Sequence, residues 1–118
     1  MSAGAIKSGV SHWWWQRLTA VALVPLGLWF VFSLSTLDVL DYGSVSDWLA
    51  RPLNALVVAL FVLVSSLHSQ LGLQVVIEDY VHDPRVQRTA VRLAGFAHVV
   101  IAAAGVLAVI RVAGGGAT

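Results

Sequence analysis

Residues 52–80 read PLNALVVALFVLVSSLHSQLGLQVVIEDY, and the fold turns on how this stretch is read. From Pro52 to Ile77 it holds no Asp, Glu, Lys or Arg, a charge-free run of 26 residues. A helix needs about 20 predominantly apolar residues to cross the hydrocarbon core of a bilayer. The run is long enough, opens on a proline suited to a first helical turn, and closes on Glu78, Asp79 and Tyr80. Two further charge-free runs flank it, 20 residues over 18–37 and 18 residues over 93–110. Three spans account for most of a 118-residue chain.

Composition agrees. The chain is 58% hydrophobic and 11% charged, too few charges to clothe a soluble domain of this size. Residues 18–37 start late, behind Trp13, Trp14 and Trp15, and no small-residue cleavage site follows, so they do not read as a signal peptide. The absence of cysteine excludes disulfides, thiolate metal sites and cysteine nucleophiles. A net charge of +1, with no basic stripe interleaved with aromatics, gives no nucleic-acid signal. No carboxylate lies inside any span, which argues against a small proton-coupled multidrug transporter.

The expected architecture is an all-α integral membrane domain over 13–118, with helices near 14–37, 52–79 and 89–112. It follows a Gly/Ser-rich flank, 1–12, expected to be loosely ordered. Trp13 to Trp15 and Trp48 suit interfacial belts, where an indole keeps its N–H hydrated. Pro25 and Gly27 suggest a mild kink in the first helix. A loop over 38–51 and a turn at Asp83–Pro84 separate the spans, a Gly114–Gly116 tail follows the last one, and there is no internal repeat. The N-terminal flank and the second connection hold Lys7, Arg17, Arg85, Arg88 and Arg92, against Arg51 and Arg111 on the other side. Five against two places the N-terminus inside. Arg17, Asp79 and Tyr80 are then expected together at the inner face.

The chemistry concentrates on the second span. At 100° per residue, Ser65, His68, Gly72 and Asp79 fall within about 60° of one another. Ser66, Gln70 and Gln74 run down nearly the opposite face. Polar residues on two faces imply protein on both sides, and hence neighbours from another chain. An imidazole in the hydrocarbon zone is costly and tends to be paired or functional. Two readings of His68 stand: an axial haem ligand, with the small Ser65 and Gly72 leaving room for a flat macrocycle, or an interhelical hydrogen bond. His98, among Ala94, Gly95, Ala97, Ala102 and Gly105, competes for the ligand role or simply marks close helix packing; a His68–His98 clamp is a third arrangement. Asp79–Tyr80 reads as a quinone hydrogen-bonding and proton-exchanging pair, or as a solvated helix end with an aromatic anchor. Arg17 reads as a partner for haem propionates or a quinone oxygen, or as a snorkelling boundary residue. His82, Arg85, Arg88 and Arg92 read as a solvated loop.

The run HSQLGLQVVIEDY, 68–80, resembles the second helix of the smaller membrane-anchor subunits of succinate dehydrogenase, respiratory complex II. That family's pattern is a His, a Gly four residues on, and an Asp-Tyr pair at eleven and twelve; all three spacings match. Gln16-Arg17-Leu18-Thr19-Ala20 is similar to the family's opening of its first helix. The resemblance implies that His68 is one axial ligand of haem b, the other coming from a large, cytochrome b-type companion anchor packed with this chain into a larger helical bundle. It implies that Tyr80 hydrogen-bonds ubiquinone, that Asp79 tunes or relays protons, and that Arg17 lies near the propionates and quinone. His12 lies near a family histidine whose register is not assigned, and His98 has no family counterpart. The implied partners are that anchor, an iron–sulfur subunit, a flavoprotein subunit, ubiquinone and the lipid bilayer. The implied setting is a bacterial cytoplasmic (inner) membrane, with the N-terminus cytoplasmic. A fumarate reductase anchor using menaquinone, or a cofactor-free structural subunit, are the alternatives.

Overall fold

The computed structural model describes residues 3–115; Gly116, in the expected tail, lies outside them. Every element is helical: α1 Ala3–Ser35, α2 Tyr42–Leu49, α3 Pro52–Tyr80 and α4 Pro84–Ala113, with no strand among the described residues. Three of the helices are long and apolar enough to cross a membrane, over Gly9–Ser35, Pro52–Tyr80 and Pro84–Ala113. Almost nothing is enclosed by the chain itself. Among the described residues only Trp48, Val109 and Thr19 are buried, while side chains such as Val21, Leu28 and Phe32 are largely exposed. A soluble protein could not keep such a surface in water; in a bilayer, acyl chains or other helices cover it.

The helix ends follow local chemistry. Pro52 and Pro84 each sit in a first turn, where a missing N–H costs nothing. Asp83 caps α4, its carboxylate accepting from the N–H groups of Arg85 at 2.9 Å and Val86 at 3.3 Å. The Asp83–Pro84 pair is therefore a helix start, and α4 begins at Pro84 instead of near 89. Arg85, Arg88 and Arg92 stand on its first turns, not in a loop; only His82 lies in the connection. Gln87 staples that connection, its side-chain amide donating to the Val81 carbonyl at 2.9 Å and that of Glu78 at 3.3 Å.

Three further expectations change. The segment expected as a loosely ordered flank is helical from Ala3, and α1 has 33 residues, about 50 Å at 1.5 Å per residue. It runs without interruption through Pro25. The connection 38–51 contains a two-turn helix, α2, capped by Asp41 through the Ser44 N–H at 2.8 Å. That hydrogen bond holds the Asp41 carboxyl below the ordinary aspartate range. Trp48 is not a hydrated belt residue. It is 7% exposed, its ring 5.6 Å from Trp29 and 6.3 Å from Phe30, and its carbonyl accepts from Asn54 Nδ2 at 2.9 Å.

Helix α3 is the central member. It packs against α1 on one side and α4 on the other, while α1 and α4 scarcely meet. Against α4 the fit depends on small residues: a Cβ at Gly105 would lie 2.8 Å from Val62 Cγ1, and one at Gly95 would lie 3.1 Å from Gln70 Nε2. Each polar face of α3 thus meets one neighbour within this chain, His68 and Gly72 facing α1 and Ser69 and Gln70 facing α4. No residue of α3 is buried by these contacts, so both polar faces, like the wide apolar exterior, stay open to lipid or protein from outside the chain.

Candidate functional site

The site lies on the seam between α1 and α3. Its register is set by two contacts. Thr19 Oγ1 stands 2.9 Å from His68 Nδ1, and a Cβ at Gly72 would lie 3.7 Å from Gln16 Nε2. Gln16 and Thr19 are three residues apart on α1, Gly72 and His68 four apart on α3, so the helices run antiparallel with these polar residues facing each other. His68 is half-buried and Thr19, at 5% exposure, is the only buried polar residue among those described. The Thr19 hydroxyl also lies 2.8 Å from the Trp15 carbonyl and 3.1 Å from that of Gln16. Nearby, His12 Nε2 and Gln16 Oε1 are shielded from solvent with no hydrogen-bond partner. Sequence reading gave Gln16 and Thr19 no role. Their signal was the spacing of His12, Gln16 and Thr19 at i, i+4 and i+7, a polar stripe along one face of an otherwise apolar helix.

His98 is placed differently. Its Nδ1 is 2.7 Å from the Ala94 carbonyl and its Nε2 is 3.0 Å from Ser69 Oγ. A carbonyl can only accept, so Nδ1 carries the proton, and the Nε2 lone pair is used by the Ser69 hydroxyl. Both nitrogens are engaged, which suits an interhelical hydrogen bond and leaves no lone pair for a metal. Ser69, its partner, faces α4, whereas His68 faces α1, so the two imidazoles lie on different seams of α3. The His68–His98 clamp is not formed.

The donor set fits one axial position of a haem. Among the described residues there is no group of three or more His, Cys, Asp or Glu able to hold a metal ion. His68 has a nitrogen beyond the one facing Thr19, and Gly72, one turn away, presents no side chain. The added Cβ at 72 would make only an ordinary contact, so helix packing alone does not require glycine there. Ser65, a turn to the other side of His68, lines an open apolar groove of about 310 Å³ with Phe30, Val58, Phe61, Val62 and Ser66.

Asp79 and Tyr80 end α3, both exposed, Tyr80 at 80%. Arg17 does not share their level. With Thr19 opposite His68 and Gln16 opposite Gly72, Arg17 stands level with Leu71, eight residues or about 12 Å deeper along the seam than Asp79. Its guanidinium lies over the Trp13 ring, 5.5 Å from the centroid, one turn back toward the N-terminus. Snorkelling along α1 in this way brings the charge back toward the boundary while the backbone sits deeper. The backbone of Arg17 thus lies deeper than Asp79 and Tyr80, while its charge is carried back toward their end of the seam.

Residues 1–109 match the family model described as succinate dehydrogenase/fumarate reductase transmembrane subunit. The chain is similar to the succinate dehydrogenase hydrophobic membrane anchor subunit of Rickettsia bellii, with 36% identity over 90 residues, 76% of this chain and 72% of that protein. The Rickettsia felis subunit of the same name is 32% identical over 104 residues, covering 88% of this chain and 87% of the relative. The succinate dehydrogenase membrane anchor subunit of Reclinomonas americana is 35% identical over 97 residues, 74% and 75% of the two chains.

Proposed function

Because the chain belongs to the succinate dehydrogenase/fumarate reductase transmembrane-subunit family, we propose that it anchors the soluble subunits of a succinate:quinone oxidoreductase, holds one side of a haem b through His68, and contributes Tyr80, Asp79 and Arg17 to ubiquinone reduction. The single observation that carries the haem assignment is the placement of His68: half-buried in mid-helix, one ring nitrogen facing Thr19, beside a glycine. A second protein ligand would have to come from a companion anchor subunit, since His98 has both nitrogens engaged. A flavoprotein and an iron–sulfur subunit deliver electrons from succinate on the inner side of a bacterial cytoplasmic membrane, where the N-terminus and the α3–α4 connection lie.

Within this reading each residue does one thing. Bound at His68, the haem supplies a one-electron redox centre within the span. Ubiquinone takes up two electrons and two protons to become ubiquinol. The Tyr80 phenol donates a hydrogen bond to one of its carbonyls, and the Asp79 carboxylate, at the aqueous boundary, exchanges protons with water. Arg17, its guanidinium drawn back over Trp13, places positive charge where propionate or a reduced quinone oxygen carries negative charge. Ser65 and Gly72 keep the helix surface beside His68 small. The named relatives favour succinate oxidation over fumarate reduction, and the quinone content of the purified complex separates the two.

The test is a reduced-minus-oxidised spectrum of the complex purified through this subunit, with its co-purifying chains identified. The native complex should show a b-type haem, and His68→Ala should abolish or strongly perturb it. An unchanged spectrum in the His68→Ala complex would leave a cofactor-free structural subunit as the better description.

A further inference from the structure

We infer that Thr19 is the positioning residue of the haem ligand: its hydroxyl fixes the tautomer and ring plane of His68, so that Nε2 faces outward with its lone pair available. This rests on the ligand reading of His68 given above. The inference itself comes from proton accounting at one buried hydroxyl. Thr19 Oγ1 has a single proton and three neighbours within hydrogen-bond distance: the Trp15 carbonyl at 2.8 Å, the Gln16 carbonyl at 3.1 Å and His68 Nδ1 at 2.9 Å. Both carbonyls can only accept. With the proton on the shortest of the three contacts, toward the Trp15 carbonyl at 2.8 Å, the oxygen meets His68 with a lone pair.

In this arrangement Nδ1 carries the imidazole proton, and in the neutral ring the remaining lone pair belongs to Nε2. A metal-ligating histidine needs this arrangement, with the non-ligating nitrogen donating to an oxygen that orients the ring and raises the basicity of the ligating one. The oxygen is well chosen for rigidity. Thr19 is 5% exposed, the only buried polar residue among those described, and it is tied to its own helix through two carbonyls. Ring orientation on α3 is thus set from α1, which makes the α1–α3 register part of the ligand geometry. His98 shows the contrast within the same chain: its Nδ1–H is spent on its own helix at Ala94, and its Nε2 accepts from Ser69.

The experiment compares Thr19→Val, Thr19→Ala and Thr19→Ser with His68→Ala in the assembled complex. It reads the rate of haem release to an apomyoglobin scavenger, the haem midpoint potential, and the low-spin g-values. Losing the oxygen in the Val or Ala variant should speed haem release on the order of 10- to 100-fold, the usual cost of an outer partner of a metal ligand. It should also raise the potential, because a less basic imidazole stabilises the ferric state less. Thr19→Ser should restore native values. The alanine variant adds no bulk and reads the same quantities if the valine variant does not assemble. Native release, potential and g-values in Val and Ala would overturn the inference, and so would a Ser variant that behaves like Val. If His68→Ala retains its haem unchanged, the ligand reading itself has failed. If His68→Ala loses the haem while the Thr19 variants are silent, only the positioning role has failed.

Discussion

A phenol that is to hold a quinone carbonyl has to be accessible to it, and Tyr80 is 80% exposed at the last turn of α3. Tyr80→Phe removes one hydrogen bond and little else. A single lost bond of about 1–1.5 kcal/mol corresponds to roughly a tenfold fall in the rate of quinone reduction. Succinate oxidation by a soluble artificial acceptor should be untouched, because that route never reaches the membrane. Equal loss in both assays would show that Tyr80 supports assembly and not quinone. At this scale the proposed site was legible in part: spacing on one helix singled out His68, Gly72, Asp79 and Tyr80, and Arg17 stood out at the entry to the first span. Gln16 and Thr19 did not. Their meaning depends on which residue of α3 each stands beside, and helix-to-helix register is a tertiary quantity absent from the periodicity of either helix.

Helices pack closely where a side chain is missing, and α3 and α4 illustrate it twice. Gly105→Ala would put a Cβ 2.8 Å from Val62 Cγ1, a side chain with one strongly preferred rotamer in a helix. Overpacking of this kind costs about 1–3 kcal/mol. Thermal or denaturant unfolding of the purified complex should show the loss, while Gly27→Ala, with nothing within 4 Å of the added Cβ, should be neutral or slightly stabilising. The short α2 makes a prediction in pH. Asp41 accepts from the Ser44 N–H, which lowers its pKa from the ordinary 3.8. A carboxyl so held stabilises the folded state fully above that ordinary value, and the support is lost as pH falls through the lower, folded value. Asp41→Asn should therefore remove the acid-side loss of α2 order without removing the cap, as followed by amide hydrogen exchange. This helix was missed in the sequence because it is only two turns long and sits between charges. Its cue was Asp41 followed by Val45, Trp48 and Leu49 at helical spacing.

The charge-free runs made three spans readable at the level of the whole molecule, because bilayer thickness converts directly into helix length. The same logic could not show which span stands in the middle. With α3 central, α1 and α4 each line one side of it, and one imidazole goes to each seam. In the proposed reading only one of them, His68, has a lone pair for iron, since both nitrogens of His98 are engaged. Expressed without its companion, the chain should therefore bind haem weakly and without bis-histidine coordination. An isolated subunit that holds a stable six-coordinate haem would contradict both the shared site and the assignment of His98. The long α1, helical from Ala3, extends the protein well past the hydrocarbon core of about 30 Å.

The near absence of enclosed side chains has one more consequence, for what mutations in this chain can report. With only three described residues buried, most substitutions cannot be felt through the chain's own packing. A saturation scan in the assembled complex would therefore chart its surroundings more than its interior. Positions bathed in acyl chains should accept almost any apolar residue, whereas those pressed against another subunit should insist on shape. Tolerance along α1, α3 and α4, plotted around each helix, would draw the outline of the neighbours.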